Sequence, residues 1–486
     1  MTEAAIVWFR QDLRLADNPA LRTALENHQQ VIPVYIYADD GASEWLAGAA
    51  SRWWLHHSLQ ALDQSLKKLG SRLIIRCGQS SQSILEELLQ QTGAQSVYWN
   101  RQYEPHPIER DSLIKQALRD RNIAVHSFNS TLLHEPWEIT KTDGGPYRVF
   151  TPYWKACIKA GMAGSFSASP EHMPAVSKKI KSAKIESLEL LPKIGWAASF
   201  ADYWQPGEAG AHQSLDRFLE NTVNNYGDDR DRPDLDGTSR LSPHLHFGEI
   251  SPQQIIEKTT MAVSLDSQPG MVTGTDAFVR ELGWREFAYY LLYHFPHSID
   301  RPLYDRFDDF PWEKDYAQPL HAWQQGQTGI PIVDAGMREL WHTGWMHNRV
   351  RMIVASLLTK NMLIPWQEGA RWFRDTLVDA DLASNTLGWQ WSAGCGADAA
   401  PWFRIFNPVT QAEKFDPAGR YIRQWVPEIA ALPNKYLSRP WEASTRVLNE
   451  HGIRLGSDYP QPVLDLKATR ERALDRYQSF RKSAAG

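Results

Sequence analysis

The sequence predicts a two-part chain, an N-terminal doubly wound α/β unit with a parallel sheet followed by a larger all-helical domain. Three observations predict it. Short apolar runs alternate with helical patterns over residues 1–130. Strand signals stop near His212, and apolar residues then recur at helical spacing. At 486 residues the chain is too long for one ordinary core.

The elements follow in order. Ile6–Phe9 reads as the first strand, Val31–Tyr37 as the second, Arg72–Arg76 as the third, Ser96–Trp99 as the fourth and Ile123–Phe128 as the fifth. Between the second and third strands Trp54, Leu55, Ser58, Leu59, Leu62 and Leu66 share one helix face; Ile84, Leu85, Leu88 and Leu89 begin another. Strands separated by helices of this length form a parallel sheet, and ligands of such sheets sit beyond the strands' carboxyl ends. No GxGxxG or Walker A loop is present, so an ordinary dinucleotide or ATP site has no support. Residues 131–210 read as a surface connector, with Gly144-Gly145-Pro146 and the Ser/Pro-rich Gly164–Pro170, and partly helical near Tyr153–Ala156. Residues 211–486 carry the helical patterns, for example Phe287, Tyr290, Leu291 and His294, and later Met352, Ala355, Ser356 and Leu363.

Composition narrows the class. With 42% hydrophobic and 22% charged residues, the chain matches globular proteins. No apolar run approaches the roughly 20 residues of a membrane span. The N-terminus lacks a basic region, apolar stretch and cleavage site, so no signal peptide is expected. Cys77, Cys157 and Cys395 are far apart, which implies no disulfide framework and a reducing cytoplasm. Three cysteines also cannot supply a four-thiolate iron–sulfur site, and no HExxH or Cys/His cluster suggests another metal. The net charge of −5 gives no bulk attraction to nucleic acid, although a local basic patch can hold phosphates on an acidic protein. Tryptophan is the outlier, with 21 residues. Most large aromatics fill cores; a few can stack on bases or pass electrons.

One segment concentrates chemistry. Asp379-Ala-Asp381-Leu-Ala-Ser-Asn385-Thr-Leu-Gly-Trp389-Gln-Trp391 places two carboxylates, an amide and two indoles together. Arg351 lies in the nearby Gly344–Met352 block, and a charged trio of Arg351, Asp379 and Asp381 amid apolar helices should be mutually paired. Gly237-Thr238-Ser239-Arg240-Leu241-Ser242, preceded by Tyr226, offers hydroxyls, backbone N–H groups and an arginine, which suit a pyrophosphate as well as an ordinary helix cap.

These blocks, with Trp402–Pro408 and Ile6-Val-Trp-Phe-Arg10-Gln-Asp12-Leu-Arg14-Leu-Ala-Asp17-Asn18, resemble the photolyase/cryptochrome family over nearly the whole chain. Ser51–Leu59 and Leu241–Ile250 resemble the bacterial class III cyclobutane photolyases. The resemblance implies a Rossmann-like antenna domain at 1–130, a connector at 131–210 and an all-helical FAD- and DNA-binding domain at 211–486. It implies FAD ligands at Tyr226, Thr238, Ser239, Arg240, Leu241, Ser242, Phe278, Arg285, Trp345, Arg351, Asp379, Asp381 and Asn385. Arg351 would pair with Asp379 beside the flavin ring, Asp381 would accept from a ring N–H, and Asn385 would face N5. Plant cryptochromes carry Asp at that last position and insect cryptochromes Cys, so the amide favours repair over signalling.

The resemblance further implies that Glu281 and Asn348 hydrogen-bond a flipped-out thymine dimer. Trp284 and Trp391 would stack on it, and Met352 would pack against it. Arg230, Arg349 and Arg404 would hold phosphates of UV-damaged DNA. Trp389, Trp366 and Trp312 would form a photoreduction wire, with Trp323 and Trp345 as an alternative branch. Photolyases for the (6-4) lesion carry paired histidines in this segment; here His347 is present, but Met352 stands in the second place. The expected antenna is 5,10-methenyltetrahydrofolate, with Trp53, His56 and Glu104 as candidate contacts; a deazaflavin or no antenna is the alternative. The reading is therefore a cytoplasmic, monomeric, light-driven repair enzyme. A cryptochrome-type receptor is the first competitor; it would call for Asp or Cys at position 385 or an extension beyond Gly486. The second is a flavin electron-transfer protein without DNA.

Overall fold

A computed structural model describes residues 4–41, 47–162, 166–402 and 404–483. Gly164 and Ser165 of the Ser/Pro-rich stretch lie outside them. Five strands, β1 (Ala4–Phe9), β2 (Gln30–Ala38), β3 (Ile74–Gly78), β4 (Ser96–Asn100) and β5 (Ala124–Phe128), form one sheet in the order β3-β2-β1-β4-β5. Every pairing is parallel. Ile6 aligns with Ile32 on one side and Val97 on the other.

Strand alternation sorts the side chains. Ala5, Val7 and Phe9 enter one core with Leu21 of α1 (Pro19–Asn27) and Leu55, Leu59 and Leu62 of α2 (Ala49–Lys68). Ile6 and Trp8 enter the opposite core with Leu85 and Leu88 of α3 (Ser81–Thr92) and Ile114 of α4 (Pro105–Arg119). A sheet buried on both faces needs continuous apolar strands, and β1 is that. The third strand begins two residues later than predicted. Arg72 donates to the Ser177 and Ile180 carbonyls and the Leu73 N–H donates to Asp63, so these residues are held outside the sheet.

Residues 131–210 do more than cross the surface. The helix α5 (Phe150–Ala160), near the expected Tyr153–Ala156 turn, buries Phe150, Tyr153 and Trp154 against Phe287 and Tyr290. Met173, Ile185, Leu188 and Leu190 cover one face of the sheet unit, and Val176 and Ile180 the other. Beyond residue 210, the described residues form helices and turns with a single isolated bridge, Leu455–Tyr459.

The Arg10–Asn18 motif joins the two parts. Arg14, 1% exposed, donates to the Gly248 carbonyl at 2.9 Å, to the Ser130 hydroxyl at 2.6 Å and to the Asp17 carbonyl at 2.6 Å. Gly248 has φ +63°, and a Cβ there would lie 2.1 Å from the Gln11 carbonyl oxygen, so only glycine allows this approach. Glu208 accepts from the Leu15 and Ala16 N–H groups. Arg14→Ala strands several buried acceptors, and it is expected to cost about 3 kcal/mol. The check is a lower thermal midpoint than that of Arg22→Ala, whose Glu26 partner is exposed.

Candidate active site

Helical spacing aims three sets of side chains at one cavity. The helix Pro269–His294 contributes Glu281, Trp284 and Arg285, and Asn348–Ser356 contributes Asn348, Arg349, Arg351 and Met352. Leu382–Ala393 contributes Asn385, Trp389 and Trp391. The cavity measures about 580 Å³ and also takes in Arg230, Ser242 and Asp379. Thirteen of the sequence-predicted residues therefore meet at one place.

Its polar wall is tightly paired. Arg351 contacts both Asp379 oxygens, at 2.8 and 3.1 Å, and its Nε donates to the Met346 carbonyl. The Ser242 hydroxyl donates to Asp379 at 2.6 Å. Asn385 donates its Nδ2 to the Ala370 carbonyl at 3.0 Å, leaving Oδ1 as its free acceptor. At the mouth, Arg230 pairs with Glu281 at 2.5 Å and Arg349 with Asp231 at 2.6 Å. Arg285 donates to the Thr131 carbonyl. Trp284 is backed by Phe150, with ring centroids 3.8 Å apart and nearly parallel.

Other predicted residues lie around the cavity rather than on it. Asp381 is the N-cap of Leu382–Ala393; it accepts from the Ser384 N–H at 2.7 Å and from the Tyr289 hydroxyl. Its carboxyl is held below the usual range: burial opposes the shift, and His246, Arg285 and Tyr289 outweigh it. Tyr226, Leu241 and Phe278 are buried in one apolar cluster. Thr238 and Ser239 are half-buried in the preceding loop, and Ser239 accepts from the Leu241 N–H at 3.4 Å. Arg240 has φ +53°, an uncommon conformation for a non-glycine residue. Its guanidinium lies 4.8 Å from the Trp345 ring, beside a neighbouring cleft of about 910 Å³. Arg404 is exposed and does not line the cavity.

Trp389, Trp366 and half-buried Trp312 belong to one apolar cluster. Trp389 is seated over Gly369, where a Cβ would lie 2.0 Å from its ring. Its ring neighbours are Trp323 at 6.1 Å and Phe373 at 5.0 Å; Trp366 does not stack on it. Of the antenna candidates, Trp53 and His56 both abut the His57 ring on α2, at 4.5 and 5.1 Å, whereas Glu104 lies apart, near Asp381 and His246. Sequence reasoning missed Asp231, Tyr289, His246 and Ala370, which partner predicted residues from other elements; only the acidic run Asp228–Asp236 hinted at one of them.

The residues present fit a flavin. The cavity combines a paired arginine and carboxylate, an amide acceptor and ring walls. The buried Trp389 Nε1 and His347 Nε2 have no hydrogen-bond partner in the protein. No group of His, Cys, Asp or Glu among the described residues is arranged to hold a metal ion. No helix among them is long and apolar enough to cross a membrane.

His347 is neutral at working pH, since burial pushes its pKa down to about 3. In an unfolded chain it would titrate near about 6.5. The stability this neutral ring supports is full above that value and is lost as pH falls toward 3. His347→Gln is expected to flatten the loss of stability across that window, measured as denaturation midpoints at stepped pH.

The comparisons agree with this geometry. Residues 5–176 match the family described as DNA photolyase, and residues 278–479 match the FAD binding domain of DNA photolyase. The chain is 47% identical over 483 residues to a deoxyribodipyrimidine photo-lyase of Agrobacterium fabrum, covering 99% of each. It is 40% identical over 479 residues to Cryptochrome-2 of Arabidopsis thaliana, covering 97% of this chain and 78% of that protein. The crystal structure of a bacterial class III photolyase from Agrobacterium tumefaciens matches with a TM-score of 0.95 at 47% identity, over 99% of this chain and 98% of that one. With sequence, fold and cavity in agreement, the chain belongs to the DNA photolyase/cryptochrome family.

Proposed function

We propose that this protein uses light to repair cyclobutane pyrimidine dimers in UV-damaged DNA, with the dimer flipped into the 580 Å³ cavity. One observation carries the reading: the Arg351–Asp379 pair and Asn385 share that cavity with Glu281, Trp284, Asn348, Met352 and Trp391. FAD, when bound, supplies the excited-state electron that splits the cyclobutane ring. The chain supplies everything else. Trp284 and Trp391 offer ring faces to an unstacked base pair. Asn348 offers both donor and acceptor to pyrimidine edges, and Glu281 an acceptor once Arg230 turns to a phosphate. The Asn385 acceptor suits a reduced flavin, which carries N–H at N5. Trp389, Trp366 and Trp312 relay electrons inward through the apolar cluster.

The lesion class follows from Met352, which stands where (6-4) photolyases carry the second of two histidines. Without that second ring the site lacks the paired imidazoles from which (6-4) ring opening draws its imidazolium. Two duplexes, one with a single cyclobutane dimer and one with a single (6-4) product, test this directly. Light should restore only the first; restoration of the second alone would reverse the assignment. Arg349→Ala is expected to weaken binding to damaged and intact DNA alike and to lower the salt slope by about one phosphate. The check is a binding series at stepped salt.

The proposed layout keeps an α/β antenna-binding domain at 1–130, a connector at 131–210 and the catalytic domain at 211–486. The proposed antenna is 5,10-methenyltetrahydrofolate, and the proposed state is a cytoplasmic monomer. Likeness to Cryptochrome-2 favours a light-sensing reading as the second choice. The amide at position 385 is the residue that argues against it.

A further inference from the structure

We propose that Lys360 keeps its charge on the face of Trp402 and thereby closes the electron-hopping route beyond Trp312, keeping oxidation away from Tyr477. The proposal rests on the reading of Trp389, Trp366 and Trp312 as a wire.

Aromatic contacts continue past the expected end of that wire. Phe310 touches Trp312 and Trp402, with centroids 4.6 Å apart in each case. Trp312 and Trp402 are themselves 6.4 Å apart. Tyr477, from the helix Leu466–Ser483, stacks on Trp402 at 4.9 Å and an interplanar angle of 20°. Trp402 is 3% exposed, and Tyr477 is half-buried. By distance alone the oxidised site would move from Trp312 to Trp402. Trp402 would give one electron to oxidised Trp312. Tyr477 would then give one electron to Trp402 and release its phenolic proton to water. Both indoles would end neutral, and Tyr477 would end as a neutral radical.

Lys360 opposes the first of these steps. It is 0% exposed and lies in a widened helical turn, Leu357–Asn361. Its Nζ is 3.2 Å from the centroid of the Trp402 ring and donates to the Ala393 carbonyl at 2.9 Å. Among the described residues no carboxylate pairs with it. Burial drives its pKa well down. The ring's negative face and the carbonyl end of Leu382–Ala393 favour the charged form. Taking an electron from Trp402 would set a second positive charge against the first in a dry interior, where like charges repel strongly. Lys360 also ties down the end of the helix that bears Asn385, Trp389 and Trp391, and this alone is a sufficient structural role. The two roles are separable by spectroscopy.

The experiment follows radicals after a light flash in the full-length FAD-loaded protein, by transient absorption and electron paramagnetic resonance. The unmodified protein should show a terminal tryptophan radical with little tyrosyl signal. Lys360→Met should raise the tyrosyl signal by about tenfold or more, and adding Tyr477→Phe should remove it. Folded Lys360→Met without a tyrosyl signal would overturn the proposal. Trp402→Phe decides the matter if Lys360→Met does not fold. The proposal expects it to leave the tryptophan radical's yield and lifetime unchanged, and a loss would show that Trp402 already carries the charge. Trp312→Phe separates the wire from its closure. Full radical yield in that variant would sink the wire itself, whereas lost yield alongside a silent Lys360→Met would sink only the closure.

Discussion

Asp379→Ala should purify almost free of FAD. The substitution removes the two-point partner of Arg351 and the acceptor of the Ser242 hydroxyl in one step. Asp379 is 7% exposed, so little water replaces what is lost. Breaking a pair of this kind costs about 3 kcal/mol or more, because the surviving charge is left unpaired. That corresponds to roughly a hundredfold in FAD affinity. Flavin absorbance per protein and titration of the apoprotein with FAD are the measurements. Asp379→Asn should fall between, since it keeps an acceptor for Ser242 but not the charge. Unchanged affinity in Asp379→Ala would mean that the ion pair is only a brace between helices.

Trp284→Ala is expected to weaken binding of dimer-containing DNA by about ten- to a hundredfold, the loss of one stacked base at about 1–3 kcal/mol. Binding of intact duplex should barely change, because the phosphate contacts lie elsewhere. The substitution also uncovers Phe150, which packs flat on Trp284, so stability will fall as well. Trp284→Phe controls for this: it keeps an aromatic face and should recover most of the discrimination. Equal losses for damaged and intact DNA would assign Trp284 to the scaffold instead.

The extent to which this protein is legible in its sequence follows from what periodicity encodes. The five strands read clearly because each is a short apolar run bounded by turns. The third slipped by two residues because Arg72 and Leu73 answer to Asp63 and to the connector, which no local pattern records. Asn385 and Trp389 were given by the family resemblance, and both line the one cavity. What spacing does not encode is the partner across the gap. Glu281 and Arg230 were read separately as lesion and phosphate contacts, yet they hold each other at 2.5 Å. Asp381, read as facing the flavin, also caps a helix and takes the Tyr289 hydroxyl, contacts that spacing does not encode. Trp323, given only as an alternative, is the indole whose ring meets Trp389.

The central claim is light-driven dimer repair at this cavity. The most direct measurement mixes the anaerobically reduced holoprotein with a duplex containing one thymine cyclobutane dimer. Thymine absorbance is followed under blue light and in darkness. The expected result is recovery of absorbance in the light alone, lost when Trp284→Ala protein is used at limiting DNA. No recovery, with FAD bound and fully reduced and the duplex bound, would contradict the account and leave the light-sensing reading in its place.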